Sequence, residues 1–238
     1  MRELFYPDSV VVVGVSPDPR NYGRVIAENL ERGEYRGDVY LVGREGNSVA
    51  GRPVYPSISA IPAAHVDLAT VIVPARSVPQ VLEDAGQKGA KWAITLSSGF
   101  SEYGDERRDL EQAVRDVLRR YGMHMVGPNC QAVMNAENGL ILPFSTTLKE
   151  DARPGSVALV SQSGTVAVVT AYVLSEEGIG FSKVVSMGNK LDQDEIDYLM
   201  YLLEEDDETK VICLHLEGVS RGPKLLEVAS RGRKPIII

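Results

Sequence analysis

The residue types that could do chemistry in this sequence gather in small-residue turns that follow apolar runs. Gly14-Val15-Ser16-Pro17-Asp18-Pro19-Arg20 follows Val10–Val13, and Gly43-Arg44 follows Asp38–Val42. Pro74-Ala75-Arg76 follows Leu68–Val73, and Leu96 leads into Ser97-Ser98-Gly99. Arg20, Arg44 and Arg76 therefore come just after three successive apolar runs. Guanidinium forks match phosphate oxygens, so the trio suggests a phosphorylated ligand, while any one of them alone reads equally as a solvated loop residue. The Gly-x-Gly-x-x-Gly fingerprint of nicotinamide dinucleotide sites, with its acidic ribose clamp, is not met. Gly14 is followed by Val15-Ser16, the next glycine is Gly23, and Arg44 precedes Glu45 where the acid should stand. A positive residue there suits a ligand with an extra ribose phosphate, which coenzyme A carries at the 3′ position and NADP at the 2′ position.

Further along, Ser161-Gln162-Ser163-Gly164-Thr165 lies between an apolar run and a helical pattern. Exposed N–H groups at a helix start make an anion site, to which the hydroxyls of Ser161, Ser163 and Thr165 could add. Ordinary helix capping by Ser163 or Thr165 is the other reading. A serine-hydrolase elbow needs Gly-x-Ser-x-Gly, and residues 161–165 do not supply it. Glu217, between Leu216 and Gly218, either orients a cation or a histidine, or is a solvated turn residue. His65 falls in a loop, and His124 and His215 fall within apolar strands, where packing is the simpler role. Cys130 reads as a small buried residue, and with Cys213 as its only companion it builds no disulfide framework or zinc site.

These turns need elements to position them. Strand-like and helix-like patterns alternate along the chain. Strands are predicted at Val10–Val13, Asp38–Val42, Leu68–Val73, Lys91–Leu96 and Met123–Val126, then at Ser156–Val160, Phe181–Ser186, Lys210–Leu216 and Pro235–Ile238. Helices are predicted at 22–32, around Val78–Ala85, around Leu110–Tyr121, at 165–177, from Asp192, and at 222–231. Repeated βα units give an α/β fold with parallel sheets and helices on both faces, and ligands then bind beyond the carboxyl ends of the strands. Residues 131–155, with Asn138-Gly139, Pro143, Lys149-Glu150-Asp151 and Pro154-Gly155, carry turn signals. They are expected to link a domain over 1–130 to one over 156–238. The helix from Val166 to Leu174 is apolar nearly all round and is expected to be buried in the core or against another subunit.

Composition bounds the partners. The 238 residues include 25 Lys and Arg against 33 Asp and Glu, a net charge of −8, which argues against a nucleic-acid or polybasic membrane binder. Abundant Val, Ile and Leu exclude a disordered chain. No apolar run reaches the roughly 20 residues of a membrane span, and Met1–Ser9 lacks a signal peptide's apolar core. The expectation is a soluble, reduced, cytoplasmic protein. The closing run Lys234-Pro235-Ile236-Ile237-Ile238 reads as a buried strand, so a longer parent protein is expected.

In this order, Val12-Val13-Gly14-Val15-Ser16, Gly51-Arg52-Pro53-Val54-Tyr55, Val71-Ile72-Val73-Pro74-Ala75, Ser98-Gly99-Phe100, Gly127-Pro128-Asn129-Cys130, Ser161-Gln162-Ser163-Gly164, Ser186-Met187-Gly188-Asn189 and Leu216-Glu217-Gly218 resemble the NDP-forming acyl-CoA synthetases. The branch they are most similar to is the α region of ADP-forming acetyl-CoA synthetases, related to succinyl-CoA synthetase. The resemblance covers essentially the whole chain. It implies a Rossmann-like CoA-binding domain followed by a flavodoxin-like, succinyl-CoA synthetase-like domain, incomplete at its C-terminus. It also implies coenzyme A contacts at Gly14, Ser16, Pro17, Asp18, Pro19, Arg20, Arg44, Pro74, Leu96, Ser97, Ser98 and Asn129, and phosphate contacts at Ser161, Ser163, Gly164 and Thr165. Glu217 would hold the family's phosphorylated histidine.

The reaction so implied interconverts acyl-CoA, ADP and phosphate with a carboxylic acid, CoA and ATP through an acyl phosphate. ATP or ADP and Mg²⁺ would sit on an ATP-grasp domain or β subunit absent here, in an oligomer. Three departures stand out. None of His65, His124 or His215 matches the phosphorylated histidine, so the chain alone should lack the full reaction. Val168 stands where succinate-using relatives carry an aromatic residue, suggesting another acid. Gln131-Ala132 is atypical after Gly-Pro-Asn-Cys. Two other readings remain open: a non-catalytic module sensing CoA or NAD(H), and the synthetase-like regulatory region of a protein acetyltransferase.

Overall fold

The computed structural model describes residues 1–44, 48–104, 107–145 and 153–238; Glu45 and the Lys149-Glu150-Asp151 run lie outside these. The first half contains, in chain order, α1 (Arg2–Phe5), β1 (Ser9–Val13), α2 (Tyr22–Arg32), β2 (Asp38–Val42), β3 (Ser48–Val49), β4 (Arg52–Tyr55), β5 (Leu68–Val71), α3 (Val78–Gln87), β6 (Trp92–Thr95), α4 (Arg108–Tyr121) and β7 (His124–Val126). Its seven strands lie in the order β3-β4-β2-β1-β5-β6-β7, all parallel except β3 against β4. β1, β5 and β6 are buried at every position, as apolar runs covered on both faces must be. The chain leaves β1 on one side for β2 and returns on the other as β5, which opens a crevice beyond the carboxyl end of β1.

The second half contains β8 (Val133–Asn135), β9 (Leu140–Ile141), β10 (Pro154–Ser161), α5 (Gly164–Glu176), β11 (Phe181–Ser186), α6 (Glu195–Glu204), β12 (Val211–His215), α7 (Gly222–Arg231) and β13 (Ile236–Ile237). Six strands run β13-β12-β10-β11-β8-β9. β10 sits between β11 and β12, parallel to both, and so makes a second crevice of the same kind. The chain is thus two successive, mainly parallel α/β layers.

Two expectations change here. The segment 131–155, read as a connection, contains β8 and β9, which pair antiparallel and extend the second sheet from β11. With three and two residues these strands are too short to show alternation, yet burial of Val133, Met134, Leu140 and Ile141 holds them in place. The helix expected from Asp192 starts at Glu195, because Asp194 caps it with a reciprocal bond from Asp197 and Asp192 instead accepts the Met125 N–H at 2.8 Å. On α5, Ala167, Val168, Ala171 and Ser175 are buried and Leu174 packs partly against the same core, while Val169, Tyr172 and Val173 are exposed.

The halves share one apolar core, which runs from Leu4, Ile26 and Trp92 through Val126 and Val133 to Val160, Tyr198 and Leu214. Away from the crevices, α1 fastens onto the second half. Asn135 and Asn138 each donate to the Phe5 carbonyl at 3.0 Å. Lys183, 1% exposed, donates to Tyr6 Oη at 3.1 Å and Asp206 Oδ1 at 3.3 Å.

Candidate functional site

The loops beyond the strands' carboxyl ends enclose two cavities whose linings share Ile72, Val73 and Pro74. The smaller, about 480 Å³, lies wholly in the first half, between Gly14-Val15-Ser16, Gly43-Arg44, Pro56-Ser57-Ile58 and α3. Gly14 is obligatory there: its φ is +103° and an added Cβ would fall 1.9 Å from the Ile72 carbonyl oxygen. Asn21 organises the loop. Its Oδ1 accepts the N–H of Ser16 at 3.1 Å and of Arg24 at 2.9 Å, and its Nδ2 donates to the Gly14 carbonyl at 3.0 Å. One side chain thus both caps α2 and shapes the turn.

Of the three arginines singled out by position, Arg44 lines this cavity. Arg20 is an exposed partner of Asp18 at 3.1 Å, and that pairing holds the Asp18 carboxyl below its usual range. Pro17, Asp18, Pro19, Arg20 and Arg76 line neither cavity. Arg24, which periodicity alone assigns to the helix surface, donates to the Pro17 carbonyl at 2.7 Å and ties the loop tip back to α2.

The larger cavity, about 730 Å³, lies between the halves. The first half supplies Tyr22, Pro74, Leu96, Ser97 and Ser98; the 129–131 turn supplies Asn129, Cys130 and Gln131; the second half supplies Gln162, Ser163, Gly164, Thr165, Asn189 and Glu217. Ser163 is the N-cap of α5, accepting the Val166 N–H at 3.3 Å. That satisfies one first-turn donor and leaves those of Gly164 and Thr165 without an intrahelical partner. Ser161 is fully buried, its hydroxyl donated to the Ser163 carbonyl at 2.7 Å, and it lines neither cavity.

Glu217 stands at the exposed rim on a loop held from two sides. Gln162 Oε1 accepts the N–H of Glu217 at 3.0 Å and of Gly218 at 3.2 Å. Lys190 Nζ donates to the Gly218 carbonyl at 2.7 Å and pairs with the buried Glu195 at 2.9 Å. Across the mouth, Glu102 accepts from Gly99 N at 2.6 Å, Phe100 N at 3.2 Å and Asn189 Nδ2 at 2.6 Å. Burial opposes ionisation of Glu102, but these donors outweigh it and hold the carboxyl below its usual range.

Sequence reasoning missed Gln162, Lys190 and Asn189, and also the Tyr22–Phe144 pair, whose ring centroids are 4.3 Å apart at the cavity wall. The Gly188-Asn189 turn after a strand was the available signal for Asn189 and Lys190. The histidines lie elsewhere: His124 packs tilted against Trp92 with ring centroids 5.0 Å apart, His65 is 3.7 Å from Asp67, and His215 Nδ1 lies 3.3 Å from the buried Ser161 hydroxyl. Among the described residues no cluster of three or more His, Cys, Asp or Glu could hold a metal, and no helix is long and apolar enough to cross a membrane.

Two cavities at the switch points of two stacked α/β sheets define a class that comparison with known families specifies. The CoA binding domain family matches residues 8–136, and the family described as succinyl-CoA ligase like flavodoxin domain matches residues 154–238. The chain belongs to the NDP-forming acyl-CoA synthetases, in the α-subunit region that joins these two domains. It is 41% identical over 240 residues, its full length, to Acetate–CoA ligase [ADP-forming] I of Archaeoglobus fulgidus, of which it spans 34%. It is also 41% identical over 244 residues to the α subunit of Acetate–CoA ligase [ADP-forming] I of Pyrococcus furiosus, of which it spans 52%. The dinucleotide-forming acetyl-coenzyme A synthetase 1 of Candidatus Korarchaeum cryptofilum, solved with phosphate and ADP, superposes on 99% of the chain with a TM-score of 0.91 and 37% identity, the chain covering 50% of that structure. The chain spans between about a third and a half of these relatives.

Proposed function

We propose that this chain is the CoA-binding portion of an ADP-forming acid–CoA ligase, and that it presents CoA to an acyl group at the start of α5. One observation carries the reading: the two cavities lie side by side at the strand ends and share Ile72, Val73 and Pro74 in their linings. The smaller, beneath Arg44, suits the phosphorylated nucleotide end of CoA. Gly14, Ser16 and Pro74 line its path, and Leu96, Ser97, Ser98 and Asn129 line the route into the larger cavity. When bound, CoA supplies the thiol nucleophile of acyl transfer. Ser163, Gly164 and Thr165 hold the phosphate of the acyl phosphate on helix N–H groups, with Ser161 bracing the turn from beneath.

Glu217 takes the role of orienting a phosphorylated histidine carried outside this chain. ATP or ADP and Mg²⁺ belong to an ATP-grasp domain or β subunit, and the working assembly is an oligomer in the cytoplasm. The Korarchaeum relative was solved with phosphate and ADP, which supports nucleotide and phosphate chemistry in the complete enzyme. Arg20, tied to Asp18, sits with Pro17 and Pro19 on the outer side of the loop and shapes it around the ligand.

Calorimetric titration with CoA tests the proposal, with NADH and NADPH as parallel controls. Saturable binding of CoA, and none of the nicotinamides, is expected. Tight nicotinamide binding without CoA binding would overturn the proposal in favour of a nucleotide sensor.

A further inference from the structure

The loop that carries Glu217 is exposed throughout residues 217–221, yet its backbone is held harder than an exposed loop requires. Gln162 Oε1 accepts the N–H groups of both Glu217 and Gly218, and Lys190 Nζ donates to the Gly218 carbonyl at 2.7 Å. At the far end Arg221 lays its guanidinium on Asp194, with Nη2 2.7 Å from each carboxylate oxygen and Nε 3.0 Å from Oδ2. Asp194 is also the N-cap of α6, and Glu195 is that helix's first residue. The loop is thus latched at both ends to the start of α6.

The Lys190 latch is the one that costs the fold most. Lys190 Nζ pairs with Glu195 Oε2 at 2.9 Å, in side chains 12% and 0% exposed. Glu195 Oε1 is buried without a hydrogen-bond partner, so Lys190 is the partner that offsets the burial of this carboxylate. A buried ion pair seldom stabilises a fold more than apolar side chains of similar volume would. Lys190 also takes a φ of +54°, a conformation that glycine or asparagine adopts with less strain. A glycine would close this turn more easily, and an apolar side chain would fill the space beside α6. Both features are accounted for if the site requires an ammonium fixed at the Gly218 carbonyl.

We infer that Lys190 is a positioning residue for Glu217: its ammonium, anchored by Glu195, fixes the Glu217–Gly218 backbone so that the Glu217 carboxylate stays at the rim of the larger cavity. This deepens the proposed function and rests on it, taking Glu217 as the carboxylate that orients a phosphorylated histidine. Lys190 lines neither cavity and acts through Glu217. A carboxylate that must meet an incoming imidazole gains from a fixed backbone, because a displacement of about 1 Å costs up to about a hundredfold in rate.

The test follows transfer of the γ-phosphoryl group of ATP onto the complete ligase, this chain with the rest of its parent protein and the ATP-grasp partner, and so does not depend on which acid is used. Lys190→Met should slow labelling about 10- to 100-fold, and Glu217→Ala at least as much. The double variant should be no slower than Glu217→Ala alone, because residues that act as one unit are not additive. Calorimetric affinity for CoA should be the same in Lys190→Met as in the parent, which a general loss of structure would not allow. Where Lys190→Met does not fold, Glu195→Gln keeps the shape, removes the anchoring charge and should show the same non-additive pattern. Parental labelling in a folded Lys190 or Glu195 variant, losses that multiply in the double variant, or weakened CoA binding in Lys190→Met each overturn the inference, while slow labelling in Glu217→Ala leaves the proposed function standing. Parental labelling in Glu217→Ala removes the role of Glu217 and this inference with it, and a parent ligase that takes no label removes the proposed function as well.

Discussion

Arg44 gives the residue scale its sharpest test, because it alone of the three positionally equivalent arginines lines a cavity. If it meets the 3′-phosphate, Arg44→Ala weakens CoA roughly tenfold or more and leaves dephospho-CoA much less affected. Equal losses for both ligands in a titration would remove the assignment. The sequence could place all three arginines at strand ends but could not separate them. Arg20 has an acceptor two residues away in Asp18, and only coordinates reveal that the two side chains close on each other. Gln131 was visible as an oddity of type; that its Oε1 is buried without a hydrogen-bond partner was not, because that depends on what β11 and α5 bring beside it.

At the scale of elements, long periodic segments were legible and short ones were not. α2, β2, β11 and α7 occupy the residues their patterns predict, since each buries a continuous face. β3, β8 and β9 span two or three residues and exist through pairing with strands distant in sequence. The loop after β6 joins the loop after β11 through Glu102 and Asn189, and that joint carries a pH signature. Glu102 is held below its ordinary value of 4.5 in the folded chain, so the folded state binds its proton less readily than the unfolded one. Stability then rises with pH through that region: the contribution is present above about 4.5 and is lost as pH falls through the lower folded value. Glu102→Gln should therefore lose less thermal stability than the parent between pH 6 and pH 3.5. Identical Tm losses in calorimetry would show that Glu102 adds nothing to this joint.

For the whole molecule, a shared core, the contacts between the rim loops and a buried clasp behind them hold the halves together. Lys183 and Asp206, 1% and 3% exposed in their side chains and 3.3 Å apart, join the second half to α1 through Tyr6. Removing one member of a buried pair strands the other charge, and Lys183→Met should cost about 3–5 kcal/mol, read as a lower denaturation midpoint in urea at unchanged slope. A shift below about 1 kcal/mol would mean that water reaches the pair. A lysine inside an apolar strand gives no hint in sequence of a partner 23 residues onward or of a tyrosine from the other end of the chain.

Cys130 lies in the wall of the larger cavity. A free thiolate there would exchange with any acyl-CoA and capture the acyl group on the protein. Burial pushes this thiol up to about 12, and its Sγ is 3.4 Å from the Thr95 carbonyl oxygen. At neutral pH the thiol form therefore predominates. The wall of this cavity is thereby kept chemically quiet toward any thioester that enters it.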